Sequence, residues 1–176
     1  MALSKADVEK YISKTEGRLN SPHERNLRGL TFADLYRKAG EVELAKRCTL
    51  AYISTNSNDY RGHKILGELL EDGQDFHKAL ESYKRSFAIN NNQNDVLLKI
   101  VKLYTDLRID PKIAKAWVDH ASKRIPGHPA IFNLQVHLIE LKNPLDYDEL
   151  INLIAEELTQ RPHDSSVHAK LVETYM

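Results

Sequence analysis

The chain has 176 residues, of which 41% are hydrophobic and 28% charged; this is a globular composition, long enough for one core or a short repeat array, and it excludes a disordered tail. Lysine plus arginine and aspartate plus glutamate number 25 each, so no net field draws the whole chain toward nucleic acid or an anionic membrane. One cysteine, Cys48, excludes an internal disulfide framework and fits a reducing compartment. No apolar run approaches the roughly 20 residues a bilayer span requires, and the opening "MALSKADVEK" lacks a signal-peptide core, so the expectation is a soluble chain without membrane insertion.

In chain order, the first helix is predicted to open at Ser4, with Asp7 three residues on completing a reciprocal cap. Val8, Tyr11 and Ile12 give it one apolar side, and Gly17 ends it. The run Ser21-Pro22-His23-Glu24 joins a capping serine, a proline at the first helical position and a glutamate placed to close a capping box. That second helix is predicted to run to Lys38 and to stop at Gly40 in the left-handed conformation. Farther on, Asp72-Gly73 and Asn143-Pro144 are breakers, Asp110-Pro111 and His128-Pro129 repeat the cap-then-proline pattern, and Asp146 with Glu149 forms another capping box. Between these marks apolar residues recur at helical spacing, as in Phe76, Ala79, Leu80, Tyr83 and Phe87, and in Ile113, Ala114, Trp117, Val118, Ala121 and Ile125. Such stripes are read as core.

The helices repeat. Ala45, Thr49, Tyr52 and Ser57 have the same offsets as Ala79, Tyr83, Ser86 and Asn91, as Ala114, Val118, Ala121 and Pro126, and as Leu150, Ile154, Glu157 and Pro162. The starts at 45, 79, 114 and 150 are separated by 34, 35 and 36 residues, the helix-turn-helix period of tetratricopeptide repeats. In the first helices Tyr36, Leu70, Tyr104, Ile139 and Tyr175 share one position, and Leu66-Gly67 supplies the Leu-Gly pair of that motif. A small residue such as Ala79 or Ala114 suits a close helix crossing, and a bulky one such as Tyr83 fills the space above it. The chain therefore resembles the tetratricopeptide family. The fold expected is all-α, a right-handed α-solenoid of helical hairpins: an extra N-terminal helix in 1–20, repeats at 21–58, 59–92, 93–127 and 128–163, and in 164–176 the first helix of a truncated repeat. Because "VHAKLVETYM" ends inside such a helix, the chain is expected to be the N-terminal piece of a longer protein, with an open end that offers a route to self-association.

No phosphate loop, nucleophile elbow, HExxH or paired-cysteine spacing is present, so no catalytic residue, metal ligand or cofactor is assigned. His163 and His168 are read as solvated polar residues, and His63 as a core histidine with a satisfied nitrogen. The tetratricopeptide resemblance implies a protein-binding groove lined by first helices, here with Arg37, Lys38, Arg61, Lys64 and Lys102 facing Asp34, Glu68, Glu71, Asp72, Asp95 and Asp106. The lysine and asparagine clamp with which some members hold a C-terminal carboxylate is rejected, because Leu30, Asp34, Ile65 and Asp95 stand at its positions and only Lys99 fits. Lys46-Arg47, Lys84-Arg85 and Lys123-Arg124, one pair per second helix, are the candidate stripe for single-stranded RNA, with solvated helix ends as the plainer reading.

A narrower resemblance is carried by "SKADVEKYI", "SPHERNLRGLTFADLYRKAGEVELAKR", "SYKRSFAINNNQNDVLLKI", "AKAWVDHASKRIPGHPAIFNL" and "LINLIAEELTQRPHD". Together these resemble the N-terminal domain of the Ran-binding protein two family, the large Ran-binding nucleoporins of the cytoplasmic pore filaments. The resemblance implies a non-enzymatic module at the nuclear envelope, on the cytoplasmic face of the nuclear pore complex. Pore scaffold nucleoporins would be its partners, and RNA binding during messenger export is the alternative role. The SUMO ligase and cyclophilin regions of that family lie elsewhere in its members.

Overall fold

The computed structural model describes residues 4–16, 28–142 and 144–176, and every regular element among them is a helix. In order these are α1 (Lys5–Glu16), α2 (Gly29–Lys38), α3 (Val42–Thr55), α4 (Tyr60–Asp72), α5 (Phe76–Ile89), α6 (Asn94–Asp106), α7 (Pro111–Arg124), α8 (Pro129–Glu140), α9 (Tyr147–Gln160) and α10 (Ser165–Tyr175). The chain forms two compact units, Met1–Val96 and Leu97–Met176.

Local chemistry sets the boundaries. Ser4 caps α1 as expected: its Oγ accepts from the Asp7 amide at 3.2 Å and donates to the Asp7 carboxylate at 2.6 Å. Asp59, Asp75, Asp110, Asp146 and Asp164 cap α4, α5, α7, α9 and α10, each accepting from a backbone amide of the first turn. His128 does the same for α8, its Nδ1 accepting from the Ala130 amide at 3.2 Å. Proline follows the cap in α7 and α8, where a missing amide costs nothing. The expected Gly17 stop, the Ser21-Pro22-His23-Glu24 start and Asn143 lie outside the described residues. Arg28 is a turn residue, so the helix expected from Ser21 to Lys38 instead begins at Gly29.

Three hairpin turns share one hydrogen-bond pattern. After α2, the amide of Gly40 donates to the Arg37 carbonyl and that of Glu41 to the Tyr36 carbonyl; after α4, Gln74 donates to Glu71 and Asp75 to Leu70; after α6, Arg108 donates to Thr105 and Ile109 to Tyr104. This is the Schellman closure, whose pivot must be left-handed. Gly40 takes it at φ 79°, but the other two pivots are Gln74 at φ 60° and Arg108 at φ 50°. The expected breaker Gly73 is not the pivot, since its φ is −83°.

In the first unit, Ala45 and Ala79 are fully buried, and so are Thr49 and Tyr83 one turn later. Between α4 and α5 the approach is close enough that a Cβ on Gly67 would stand 2.6 Å from the Tyr83 ring. That ring is held by its hydroxyl, which donates to Glu71 at 2.8 Å. In the second unit Phe132, Val136, Ile139, Leu150, Ile154 and Val167 form one core cluster. Val136 stands where α4 has Gly67, and Leu150 where α5 has Ala79. The bulkier crossing keeps the α8 and α9 backbones farther apart than those of α4 and α5.

The first three repeat positions of the second helices are thus buried in all four instances, including Ser86, Ala121 and a charged exception, Glu157, while the fourth, Ser57, Asn91, Pro126 or Pro162, is exposed. Glu157 accepts from Arg161 Nε at 2.5 Å, Arg161 Nη1 reaches Asp164 at 2.5 Å, and the guanidinium lies 5.7 Å from the Phe132 ring centre. Three residues of the apolar stripes depart from expectation. Tyr11 is 49% exposed, Phe76 39% and Ile113 43%. Phe76 and Ile113 sit in the first turns of α5 and α7, where the stripe has not yet rotated beneath the partner helix. Trp117 stacks on Tyr104 with ring centres 6.1 Å apart.

Relieving the left-handed strain with Gln74→Gly is expected to raise stability by about 1 kcal/mol, read as a higher urea midpoint. Gly67→Ala is expected to lower it by about 1–3 kcal/mol in the same assay, because the Tyr83 ring must give way.

Candidate protein-interaction site

The first helices of the first unit carry four of the five predicted groove cations, Arg37 and Lys38 on α2 and Arg61 and Lys64 on α4. Arg37 on α2 reaches across to α4, with Nη1 2.5 Å from Glu68 and Nε 2.7 Å from Asp72. The Asp72 hydrogen bond is the main cause that holds the Arg37 pKa above its ordinary value. Lys64 on α4 pairs with Asp95 at the start of α6. Lys38 pairs within its own helix with Asp34 at 2.7 Å. In the second unit Lys102, the fifth, lies 3.7 Å from Asp106 on the same helix, and Glu140 on α8 pairs with Lys170 on α10 at 2.5 Å. The charges of the first helices are therefore turned toward one another. Such exposed pairs contribute up to about 1 kcal/mol each, so their larger effect is to cancel the field of the face.

Arg61 sits apart from the other groove cations, in a cluster between α3 and α4. Its Nη2 is 2.6 Å from Asp59, which also accepts the Tyr52 hydroxyl at 2.6 Å while capping α4. The Arg61 hydrogen bond, then the Tyr52 one, overcome burial and depress the Asp59 pKa far below the usual carboxylate range. His63 is buried and donates from Nε2 to the Ser57 carbonyl at 3.1 Å, as expected of a satisfied core histidine. His168, at the equivalent position, makes the same contact with Pro162 at 2.8 Å. Among the described residues no group of three or more His, Cys, Asp or Glu side chains could hold a metal ion, and no helix is long and apolar enough to cross a membrane.

The basic pairs of the second helices are not at equivalent positions. Lys46, Lys84 and Lys123 stand one, five and nine residues beyond Ala45, Ala79 and Ala114, so each pair is displaced by one helical turn from the last. Lys46 is paired with Glu43 at 2.8 Å and Lys84 with Glu81 at 2.9 Å. Arg47, Arg85 and Lys123 are exposed, and Arg124 is half-buried.

The second unit contains a concavity that sequence reasoning missed. A cavity of about 410 Å³ opens between α7, α8 and α9, with Val118, Leu138, Ile139 and Leu153 among its walls. Lys112, Lys115 and Lys142 line one end together with Glu149, and Asp119 and Glu156 line the other. Glu149 is paired with Lys142 and lies 3.8 Å from Lys115. The signal was present in the chain: Val136 and Leu150 at positions where close packing needs glycine and alanine mean a hairpin that cannot close.

No family model matches the chain. Among solved structures it is similar to a tetratricopeptide repeat protein from Parabacteroides merdae, with a TM-score of 0.72 and 15% identity over 97% of this chain and 64% of that one. It is also similar to YrrB, described as a TPR protein with an unusual peptide-binding site, with a TM-score of 0.69 and 16% identity over 96% and 81%. The hairpins and these likenesses define a tetratricopeptide-type helical repeat fold. In sequence the chain is 39% identical over 175 residues to the E3 SUMO-protein ligase RanBP2 of Homo sapiens, covering 99% of this chain and 5% of that protein. It is 39% identical over the same length to the human RANBP2-like and GRIP domain-containing protein 8, covering 10% of it. The chain is thus similar over nearly its whole length to RanBP2 and a RanBP2-like relative, and it spans a small fraction of the length of those proteins.

Because the folded Asp59 pKa is depressed, its contribution to stability is present above the unfolded value near pH 4 and is lost as pH falls below it. Asp59→Asn keeps a capping side chain but removes the charge. The gap in urea midpoint between native and D59N protein is expected to be widest at neutral pH and to shrink on acidification below about pH 4.

Proposed function

We propose that this domain is a protein-interaction scaffold that helps hold its parent protein at the cytoplasmic face of the nuclear pore complex, supporting nucleocytoplasmic transport, with pore scaffold nucleoporins as partners. The observation that carries the reading is the 39% identity with RanBP2 over 99% of the chain. The domain itself acts by shape and supplies no chemistry. Arg37, Lys38, Arg61, Lys64 and Lys102 serve as polar contacts. The ion pairs on the first helices pre-order these long side chains, which reduces the entropy lost when a partner docks. With charges cancelled in pairs, affinity comes from a few buried anchors rather than from long-range attraction.

Single-stranded RNA binding through Lys46, Arg47, Lys84, Arg85, Lys123 and Arg124 is the weaker alternative, since two of the lysines are paired within their own helices and the pairs drift by one turn per repeat. Phosphate contacts would make RNA affinity fall steeply with salt, and reversing the six charges would abolish it.

In cells, a fluorescent fusion of the domain is expected to mark the nuclear rim, and the double variant Arg37→Glu/Lys64→Glu to leave it while keeping native helicity by circular dichroism. A native fusion spread evenly through the cytoplasm would overturn the anchoring role. Rim staining unchanged in the double variant would remove the first-helix face from it.

A further inference from the structure

We infer that the cleft of the second unit is the seat of an amphipathic helix from a partner protein, one that presents apolar anchors flanked by an acidic group on one side and a basic group on the other. This rests on the reading of the domain as a protein-interaction module and adds the site and the chemistry of what it binds.

Three observations support the occupant. First, the cavity is lined by helices, with residues of α7, α8 and α9 around it, and about 410 Å³ is ample for two apolar side chains one helical turn apart. Second, its middle is apolar, with Val118, Leu138, Ile139 and Leu153, and the gap cannot be closed from within, because Val136, Leu150 and Ile154 hold α8 and α9 apart. An incoming side chain would therefore fill space that the fold itself leaves empty. Third, the charges are segregated along the trough. Lys112, Lys115 and Lys142 stand at the end where α7 and α9 begin, against one lining acid, Glu149. Asp119 stands one turn beyond Lys115 and two beyond Lys112, and Glu156 two turns beyond Glu149, with no lysine or arginine lining that end. Lys115 is 63% exposed on its side chain, so it is placed to meet an incoming carboxylate. This polarity fixes the orientation of the guest and discriminates against purely basic or purely acidic segments.

The test is selection of a phage-displayed library of short helical peptides against the whole domain, followed by fluorescence polarisation with the enriched sequences. The expected result is enrichment of apolar anchors with an acid on one side and a base on the other, and binding weakened tenfold or more by the surface variant Lys112→Glu/Lys115→Glu. Exchanging the acid of the peptide for lysine should restore binding to that variant. Leu138→Ala, which enlarges the trough, should weaken the native peptide without altering the response to charge. Failure to enrich any such sequence, or equal binding to native and K112E/K115E protein, would overturn the inference. Peptide selection reads the cleft alone and rim localisation reads the pore scaffold role, so each can fail while the other stands.

Discussion

How closely the two helices of a hairpin approach is set by two or three side chains at their crossing, and most of what this domain presents to its surroundings follows from that choice. Between α4 and α5 the crossing is Gly67 against Tyr83 with Ala79 beside it, and a glycine is the only residue that avoids the tyrosine ring. Between α8 and α9 it is Val136, Leu150 and Ile154, all buried, in the same three places. Both arrangements bury apolar surface, the quantity that stabilises a repeat. The second leaves a trough, because a helix wedged outward at its middle cannot be drawn back by the rest of its length.

Electrostatics plays a different part. Arg37, Lys64 and Lys170 each reach from one first helix to another within their unit, and each meets a carboxylate there. These bridges are half exposed and individually weak, and they leave little free charge on the face they span. The Glu157–Arg161–Asp164 cluster is the buried counterpart, where a carboxylate takes a position that other repeats give to Tyr52, Ser86 or Ala121.

The helical class, the hairpin period and the buried crossing positions were legible in the chain because they depend on volume and spacing, which a sequence states directly. The caps were legible for the same reason: Ser4, Asp110, His128 and Asp146 bond the amides expected of them. Stripe edges were harder. Phe76 and Ile113 have the right spacing but lie at helix starts, where facing depends on the angle of entry. The cations and acids of the first helices were named together from the chain, but which meets which was not, because Arg37 and Glu68 are brought together only by the stacking of separate hairpins. The trough was missed because its signal is a misfit between repeats, visible only when Val136 and Leu150 are set against Gly67 and Ala79.

The shared turn closes through main-chain groups alone, and its pivot is glycine once and a polar side chain twice. A motif written in backbone bonds tolerates drift in its letters. Degenerate arrays of this kind are therefore better traced through the sizes of their interior residues than through their bends, where the same geometry is spelled Gly40, Gln74 and Arg108.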